Sequence, residues 1–220
     1  IVLTEGERVD GSSLFKGLID SGLSDLYVVP VYKTAFLNPF NSTSLDFVCR
    51  YVTADGELAP FTPDNILHKA AKLFKKNTGI ELHALGELEF YLLFNPINNM
   101  YFPPKQQGYH ASGPYLKSGK ILSDMLRMIT HIAGQVKYAH SEVGFIEKIV
   151  SANTEIDGKM AEQLEIEFLS TPIEEAADDI VIAKWLIRNI AYQNGILATF
   201  APKIEEGYAG SGMHFHLKLK

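Results

Sequence analysis

Acidic and imidazole side chains recur at every second position in three short segments of the chain. The polar positions of these segments are Glu87 and Glu89, then Glu165 and Glu167, then His214, His216 and Lys218. Apolar residues fill the positions between them. Because alternate residues of a β-strand point to the same face, each segment is predicted to be a strand with one polar and one apolar face.

A sheet that displays several carboxylates and imidazoles on one face could bind divalent cations. Carboxylates two residues apart repel one another and raise each other's pKa unless a cation lies between them. Oxygen ligands with one or two imidazoles and no thiolates favour Mg²⁺ or Mn²⁺ over Zn²⁺. The alternative interpretation is a face that is merely solvated, as in many antiparallel sheets. The alternation alone leaves both interpretations open.

A glycine-rich segment leads directly into the strand that carries His214. It spans residues 207–212 and contains three glycines, which permit a positive φ and a close approach of the backbone to a ligand. An ordinary hairpin loop can have the same composition. The segment is not a Walker loop, because no Gly-Lys-Ser/Thr follows it. A strand rather than a helix follows it, which excludes a dinucleotide-binding fingerprint.

Three helices and one long loop are predicted to position these segments. The pair Thr62-Pro63 is typical of a helix start, and Gly79 is typical of the end of that helix. A second apolar stripe predicts a helix over residues 118–137. The capping box Thr-Pro-x-Glu at 171–174 predicts the start of a third helix at Thr171. The Gly-, Pro- and Asn-rich segment 95–120 is predicted to be a loop, and loops of that length are usually functional or mobile.

The overall composition is typical of a globular protein. The chain has 220 residues, of which 46% are hydrophobic and 21% are charged, so wholesale disorder is excluded. A net charge of −6 without a basic block argues against nucleic-acid and anionic-membrane partners. No apolar run approaches the roughly 18 residues of a membrane span. The single Cys49 and the absence of a basic secretory signal favour a reducing, cytoplasmic environment.

The order of the motifs resembles that of the glutamine synthetase family. Residues 194–203, Asn-Gly-Ile-Leu-Ala-Thr-Phe-Ala-Pro-Lys, and residues 210–216, Gly-Ser-Gly-Met-His-Phe-His, are similar to the signature region of that family. The other matching elements, in family order, are Asp-Gly-Ser-Ser at 10–13, Glu-x-Glu-Phe at 87–90, His-x-Glu at 140–142 and Gln-x-Glu at 163–165. This collinear resemblance covers nearly the whole chain.

The resemblance implies an α+β fold, in which a curved, largely antiparallel sheet is backed by helices and preceded by part of a β-grasp domain. Residues 1–57 would be the end of the β-grasp domain, and residues 58–220 the first part of the catalytic domain. The implied activity is ATP-dependent ligation of ammonia to the γ-carboxylate of glutamate, through γ-glutamyl phosphate, in glutamine biosynthesis. The implied partners are glutamate, ammonium, ATP, two Mg²⁺ or Mn²⁺ ions, and further copies of the chain in a homo-oligomer whose active sites lie between subunits.

The resemblance also assigns roles to individual residues. One cation would be held by Glu89, Glu142 and Glu165, and the other by Glu87, His214 and a glutamate beyond Lys220. The other implied roles are catalysis for Asp10 and Glu142, substrate binding for Ser13, Tyr109 and Gly210, and nucleotide binding for His216. Asp10 and Ser13 would reach a neighbouring subunit's site and help to bind ammonium there, and Tyr109 would line the ammonium pocket.

Three departures from the family pattern leave the acyl substrate open. Ala209 stands where the family usually has an asparagine that contacts glutamate, and Lys218 stands where it usually has a serine. A long interval between Glu142 and Glu165 predicts an insertion over residues 144–159. Relatives that γ-glutamylate polyamines or other amines share the same metal ligands, so such a ligase is one alternative. A catalytically inactive relative with a structural or binding role is another.

The two ends of the sequence predict that it is part of a longer protein. It lacks an initiator Met, and it stops within a strand-like pattern. The phosphate-binding arginines of the family and its last metal ligand would follow Lys220. The chain is therefore expected to be inactive by itself.

Overall fold

The structure, a computed structural model, describes residues 2–19, 22, 24–97, 101, 103 and 105–220. The chain divides into two compact units, residues 1–82 with Lys220 and residues 83–219. The division predicted at residues 57 and 58 concerns the domains of a family, which this division by compactness does not test. It therefore stays a prediction.

Among its described residues, the first unit contains a small sheet, a two-stranded ribbon, three α-helices and a short 3-10 helix at Tyr32–Thr34. Its helices are α1 (Val2–Glu5), α2 (Gly11–Leu14) and α3 (Pro63–Thr78), and its strands are β1 (Glu7–Asp10), β2 (Asp25–Pro30), β3 (Phe36–Leu37), β4 (Leu45–Asp46) and β5 (Cys49–Thr53). Strands β1, β2 and β5 form an antiparallel sheet in that order, and β3 pairs with β4. Helix α3 begins after its N-cap Thr62 and ends at Gly79, which has the left-handed φ of 73°. Both ends of this helix are as predicted.

The second unit is built around a six-stranded sheet. Its elements are β6 (Leu82–Phe94), α4 (Gly119–Ile132), β7 (Val136–Ile146), β8 (Met160–Phe168), β9 (Thr171–Pro172), α5 (Ile173–Gln193), β10 (Leu197–Thr199) and β11 (Met213–Leu219). The central path of the sheet is β10-β6-β8-β7, all in antiparallel pairs, and β9 and β11 also pair with β6. The prediction of an α+β fold with a largely antiparallel sheet backed by helices is confirmed.

Alternation along β6 and β8 buries one face of the sheet beneath the helices. The fully buried residues on this face include Leu88, Phe90, Leu92, Leu164 and Ile166. Helices α4 and α5 contribute the fully buried residues Met125, Ile129, Ala183, Leu186 and Ile187 to the core. Burying each large apolar side chain stabilises the fold by about 1.5–3 kcal/mol, so this packing fixes which face of the sheet carries the polar residues.

The second and third helices differ from their predicted limits. Residues Thr171–Pro172 do not cap α5; they pair as β9 with His83 and Ala84 of β6, and α5 starts at Ile173 without a side-chain cap. The prediction of a capping box was wrong because the sheet, rather than the helix, takes the backbone of Thr171. Helix α4 ends at Ile132, before Gly134 adopts a φ of 76° and the chain enters β7.

The loop predicted over residues 95–120 has no helix or strand before Gly119 among the residues that the structure describes there. No helix in the described part of the chain has the length and apolar character needed to cross a membrane.

Candidate active site

Strand register places four carboxylates and one imidazole on the face of the sheet opposite the apolar side chains. In the β6–β8 pair, Glu89 lies opposite Glu165, and Glu87 lies opposite Glu167. In the β7–β8 pair, His140 lies opposite Glu165. Because the intervening apolar residues point towards the helices, these polar side chains share the other face. The alternation predicted for β6 and β8 is confirmed.

Strand β11 adds two imidazoles to this face. His214 Nδ1 lies 3.4 Å from Glu87 Oε2 and 3.6 Å from Glu89 Oε1. His216 Nε2 lies 2.9 Å from Glu87 Oε1. One ligand atom from each of Glu87, Glu165 and His214 lies within 4.8 Å of the other two, a spacing that lets a single ion contact all three. The structure thus brings together four of the five residues predicted to bind metal.

The fifth predicted ligand, Glu142, lies beside this set on a distorted part of β7. The pairing of β7 with β8 shifts register between Ser141 and Phe145, so Glu142 projects from a β-bulge. Glu142 Oε1 is 3.6 Å from His140 Nδ1. The charge of Glu142 also acts on Glu165, which places the two carboxylates near one another.

The close set of three ligands crosses the predicted division into two cation sites. It combines Glu165, predicted for one site, with Glu87 and His214, predicted for the other. The assignment of each ligand to one of two cations therefore stays a prediction.

Crowding of the carboxylates changes the acidity of the most central one. Burial, followed by the charges of Glu142, Glu89, Glu87 and Glu167, raises the pKa of Glu165 to about 8. The cation-free centre therefore holds a proton on Glu165 near neutral pH. A divalent cation would remove both causes, because it replaces the lost solvation and neutralises the repulsion.

Two observations show that the centre fits a divalent cation. The donor set consists of carboxylates and an imidazole without thiolates, which suits Mg²⁺ or Mn²⁺. The absence of a side chain at Gly212 also leaves room for these ligands, because a Cβ at this position would lie 2.7 Å from His214 Cε1 and 3.0 Å from Glu89 Oε1. Any larger residue at position 212 would push both side chains out of place.

A second group that could hold a metal adjoins the first, and sequence reasoning did not identify it as one. It consists of His140, Glu165 and Glu167, all buried. His140 Nε2 is 3.1 Å from Glu165 Oε2, yet it makes no hydrogen bond of acceptable geometry. Glu167 is already neutralised by Lys137, whose Nζ donates to Glu167 Oε2 at 2.7 Å. The shared face of Glu165 and Glu167 was visible in the sequence, whereas the approach of His140 depends on strand pairing.

Aromatic rings surround His140 and include the predicted substrate residue Tyr109. The His140 ring stacks on His110 at 4.2 Å between centroids and on Tyr138 at 5.2 Å. Tyr109 meets it edge-on at 5.3 Å, and more than half of the Tyr109 side chain is exposed. The structure therefore places Tyr109 beside the carboxylate cluster. Its role in an ammonium pocket stays a prediction.

The glycine loop, residues Gly207–Gly212, is held by the buried side chains of Tyr91 and Gln163 and by the half-buried side chain of Gln106. Tyr91 Oη donates to the carbonyl oxygen of Ala209 at 2.7 Å, and Gln106 Oε1 accepts from Ala209 N–H at 2.6 Å. Gln163 Nε2 donates to the carbonyl oxygen of Gly210 at 2.9 Å. Neither Tyr91 nor the two glutamines were identified as functional residues from the sequence, although Tyr91 continues the alternation that begins at Glu87.

The bulge that carries Glu142 requires a glycine two residues later. A Cβ on Gly144 would lie 2.0 Å from Tyr91 Oη and 2.5 Å from Gln163 Oε1. Both of those side chains hold the glycine loop. Close packing at Gly144 therefore links the bulge of β7 to the loop that precedes β11.

Asp10 and Ser13 lie in the first compact unit. The carboxylate of Asp10 caps the short helix α2 and accepts from Ser12 N–H at 3.0 Å, Ser12 Oγ at 2.7 Å and Ser13 Oγ at 2.6 Å. The bonds from Ser13 and Ser12 lower the pKa of Asp10 to about 2. Asp10 is therefore an exposed, ionised carboxylate. Its predicted role in a neighbouring subunit's site stays a prediction.

Comparison with known protein families assigns this chain to one of them. The model of the family "Glutamine synthetase, catalytic domain" matches residues 61–220. The chain therefore belongs to the glutamine synthetase family, as its sequence motifs predicted.

Individual relatives agree with this assignment. The glutamine synthetase of Methanococcus maripaludis is 28% identical over 99% of the chain and 46% of the relative. A Pseudomonas glutamate–isopropylamine ligase is 29% identical over 91% of the chain and 42% of the relative. The cryo-EM structure of Plasmodium falciparum glutamine synthetase has the same fold, with a TM-score of 0.79 at 22% identity, over 100% of the chain and 46% of that structure's chain. The chain spans about half the length of the relatives that it matches.

Proposed function

We propose that the protein carrying this chain is an ATP-dependent carbon–nitrogen ligase that joins ammonia to the γ-carboxylate of glutamate through γ-glutamyl phosphate. The observation that carries this proposal is the convergence of Glu87, Glu89, Glu165 and His214 on one centre next to a glycine loop. An inactive relative would have no reason to keep so many repelling groups together. Family membership supplies the reaction class.

Different residues of the centre are proposed to bind the cations, the nucleotide and glutamate. Glu87, Glu89, Glu142, Glu165 and His214 would hold two Mg²⁺ or Mn²⁺ ions. When bound, these cations neutralise phosphate charge and orient the groups that react. His216, whose imidazole already lies against Glu87, is proposed to contact a nucleotide phosphate. The backbone of Gly210 is proposed to bind glutamate, because Gln163 and Tyr91 hold the loop in one conformation.

The groups proposed for ammonium combine negative charge with an aromatic face. The low pKa of Asp10 makes it a weak base, so it suits attraction of the ammonium charge better than removal of a proton. Tyr109 presents an exposed ring beside His140. In the proposed reaction, the ammonia nitrogen bonds to the acyl carbon of γ-glutamyl phosphate, the bond from that carbon to the phosphate oxygen breaks, phosphate leaves, and the released proton passes to a carboxylate. The inter-subunit role of Asp10 and Ser13, and a homo-oligomer, are part of the same proposal.

A γ-glutamyl–amine ligase is the second candidate, and one relative of the chain favours it. That relative is a glutamate–isopropylamine ligase. Ala209 bears on glutamate binding in either reaction, because the family usually places an asparagine at this position that contacts glutamate. Loss of one hydrogen bond to a charged substrate weakens binding by about 1.5–3 kcal/mol. Ala209→Asn should therefore lower KM for glutamate by at least tenfold with either acceptor, because glutamate is the acyl donor in both reactions.

Product analysis with several acceptors tests both candidates. ATP-dependent ligation is measured in the full-length protein with glutamate and ammonia, and in parallel with methylamine, isopropylamine and putrescine. Turnover with ammonia supports glutamine synthesis, and turnover with an amine but not with ammonia supports the second candidate. Absence of turnover with every acceptor, although metal and ATP bind, would contradict both and favour an inactive relative. The same assay on residues 1–220 tests the expectation that this chain alone is inactive.

A further inference from the structure

Gln163 makes three hydrogen bonds that meet at the proposed centre. Its side chain is buried on β8, opposite Tyr91 of β6. Nε2 donates to Glu89 Oε2 at 2.8 Å and to the carbonyl oxygen of Gly210 at 2.9 Å, and Oε1 accepts from Gly144 N–H at 3.1 Å. These bonds use both amide protons and the amide oxygen. One side chain thus connects a proposed metal ligand, the glycine loop and the bulge of β7.

The bond to Glu89 leaves its two carboxylate oxygens with different surroundings. Oε2 accepts from Gln163, whereas Oε1 lies 3.6 Å from His214 Nδ1. Oε1 is also the atom that a Cβ at Gly212 would approach to 3.0 Å. The amide of Gln163 therefore orients Glu89 so that Oε1, and not Oε2, faces His214.

The bonds to Gly210 and Gly144 connect this orientation to two other segments. The glycine loop is held by Gln163 at Gly210, and by Tyr91 and Gln106 at Ala209. Of these three side chains, only Gln163 also bonds to a proposed metal ligand. A change in the orientation of the Glu89 carboxylate therefore reaches Gly210 through the amide of Gln163, whereas the backbone of Glu89 contacts the loop separately, through its N–H bond to the carbonyl oxygen of Gly212 at 3.3 Å.

We propose that Gln163 is a positioning residue that couples cation binding at Glu89 to the conformation of the glycine loop. This inference rests on the proposed function, because it takes Glu89 as a metal ligand and the loop as a substrate-binding segment. Coupling between two sites is reciprocal, so cation binding should order the loop, and an ordered loop should strengthen cation binding. Glutamate would then bind best after the cation.

The substitution Gln163→Met tests the coupling, because methionine keeps the length of the side chain but removes all three hydrogen bonds. Mn²⁺ binding is measured by calorimetry, and backbone hydrogen exchange of residues 207–212 is measured with and without Mn²⁺. In the unaltered chain, Mn²⁺ should slow exchange of the loop severalfold. In Gln163→Met, Mn²⁺ affinity should fall about tenfold, as is usual when a group that orients a ligand is removed, and the cation should no longer slow loop exchange.

Two further variants separate coupling from simple packing. Gln193→Met makes the same replacement at the exposed end of α5 and should leave both measurements unchanged. Tyr91→Phe removes the loop's bond at Ala209 and keeps the bond from Gln163 to Glu89, so it should speed loop exchange, lower the Mn²⁺ affinity less than Gln163→Met does, and retain the slowing of loop exchange by Mn²⁺. If Gln163→Met fails to fold by circular dichroism, Gln163→Asn, which is shorter by one methylene group, takes its place with the same expected losses.

The outcomes distinguish failure of this inference from failure of the proposed function. If Gln163→Met binds Mn²⁺ as tightly as the unaltered chain and still shows slowed loop exchange, Gln163 is only a packing residue and the inference is wrong. If the unaltered chain binds no Mn²⁺, the proposed centre fails, and the coupling fails with it. In that case, faster loop exchange in Gln163→Met without cation would still show that Gln163 holds the loop.

Discussion

Glu165 is the residue on which the electrostatics of the site depend most. It is buried at the middle of β8, and four other carboxylates act on it. Without a cation the cluster is destabilising, because each ionised carboxylate raises the cost of ionising the next. Proteins commonly retain such local conflict where a ligand relieves it.

The raised pKa of Glu165 predicts how the stability of the cation-free chain depends on pH. The unfolded chain releases this proton near pH 4.5, whereas the folded chain keeps it up to about pH 8. The contribution of this group to stability is thus fully present below pH 4.5 and is lost as pH rises through 8. Urea denaturation in EDTA should show the free energy of unfolding falling across this window. Glu165→Gln, which cannot ionise, should flatten the decline, and an equally steep decline in that variant would contradict the assignment.

The β7 bulge is the element that brings Glu142 into the site, and Gly144 makes this bulge possible. Gly144→Ala should destabilise the fold by about 2–3 kcal/mol, because the new Cβ would overlap Tyr91 Oη. Chemical denaturation measures the loss. Tyr91→Phe removes the overlapping oxygen, so the double variant should lose less than the sum of the two single variants. Gly119→Ala, whose new Cβ would meet Leu116 at an ordinary 3.4 Å, should cause no comparable loss.

The start of α4 depends on a carboxylate from the opposite face of β8. Glu162, which is 3% exposed, accepts from Ser118 N–H at 2.8 Å, Ser118 Oγ at 2.6 Å and Lys117 N–H at 2.9 Å. Glu162→Gln should destabilise the chain by about 2 kcal/mol, since an amide group both loses the charge and presents N–H to these donors. The measurement is the midpoint of urea denaturation. Exposed Glu155→Gln is the control, and equal effects in both variants would contradict a capping role for Glu162.

At the scale of the whole molecule, the parts that follow from local pattern were predicted from the sequence. The two-residue period gave the strands at Glu87 and Glu165, and glycine and proline placed the ends of α3. The start of α5 was wrong because Thr171 has the local pattern of a cap, while its backbone is used by β6 in tertiary structure. Local signals cannot show such competition.

The candidate site, like the fold, was predicted only in part from the sequence. The carboxylates were predicted because their charge is visible in the sequence, and because the motifs resemble those of a known family. The residues that hold them in place were not, since Gln163 and Gln106 act through bonds to the backbone of distant segments. Their partners are 47 and 103 positions away along the chain. Such contacts arise only when the sheet is assembled.

The most direct test of the central claim is a Mn²⁺ titration of this chain by calorimetry. The account predicts one or two binding events that are lost when Glu89→Ala and Glu165→Ala are introduced together. The paired control, Glu147→Ala with Glu155→Ala, removes two exposed carboxylates from the β7–β8 connection and should bind like the unaltered chain. Because removing Glu165 relieves repulsion, the first variant should remain folded without cation, so its loss of binding reflects the site. Undiminished Mn²⁺ binding in that folded variant would contradict the proposed centre.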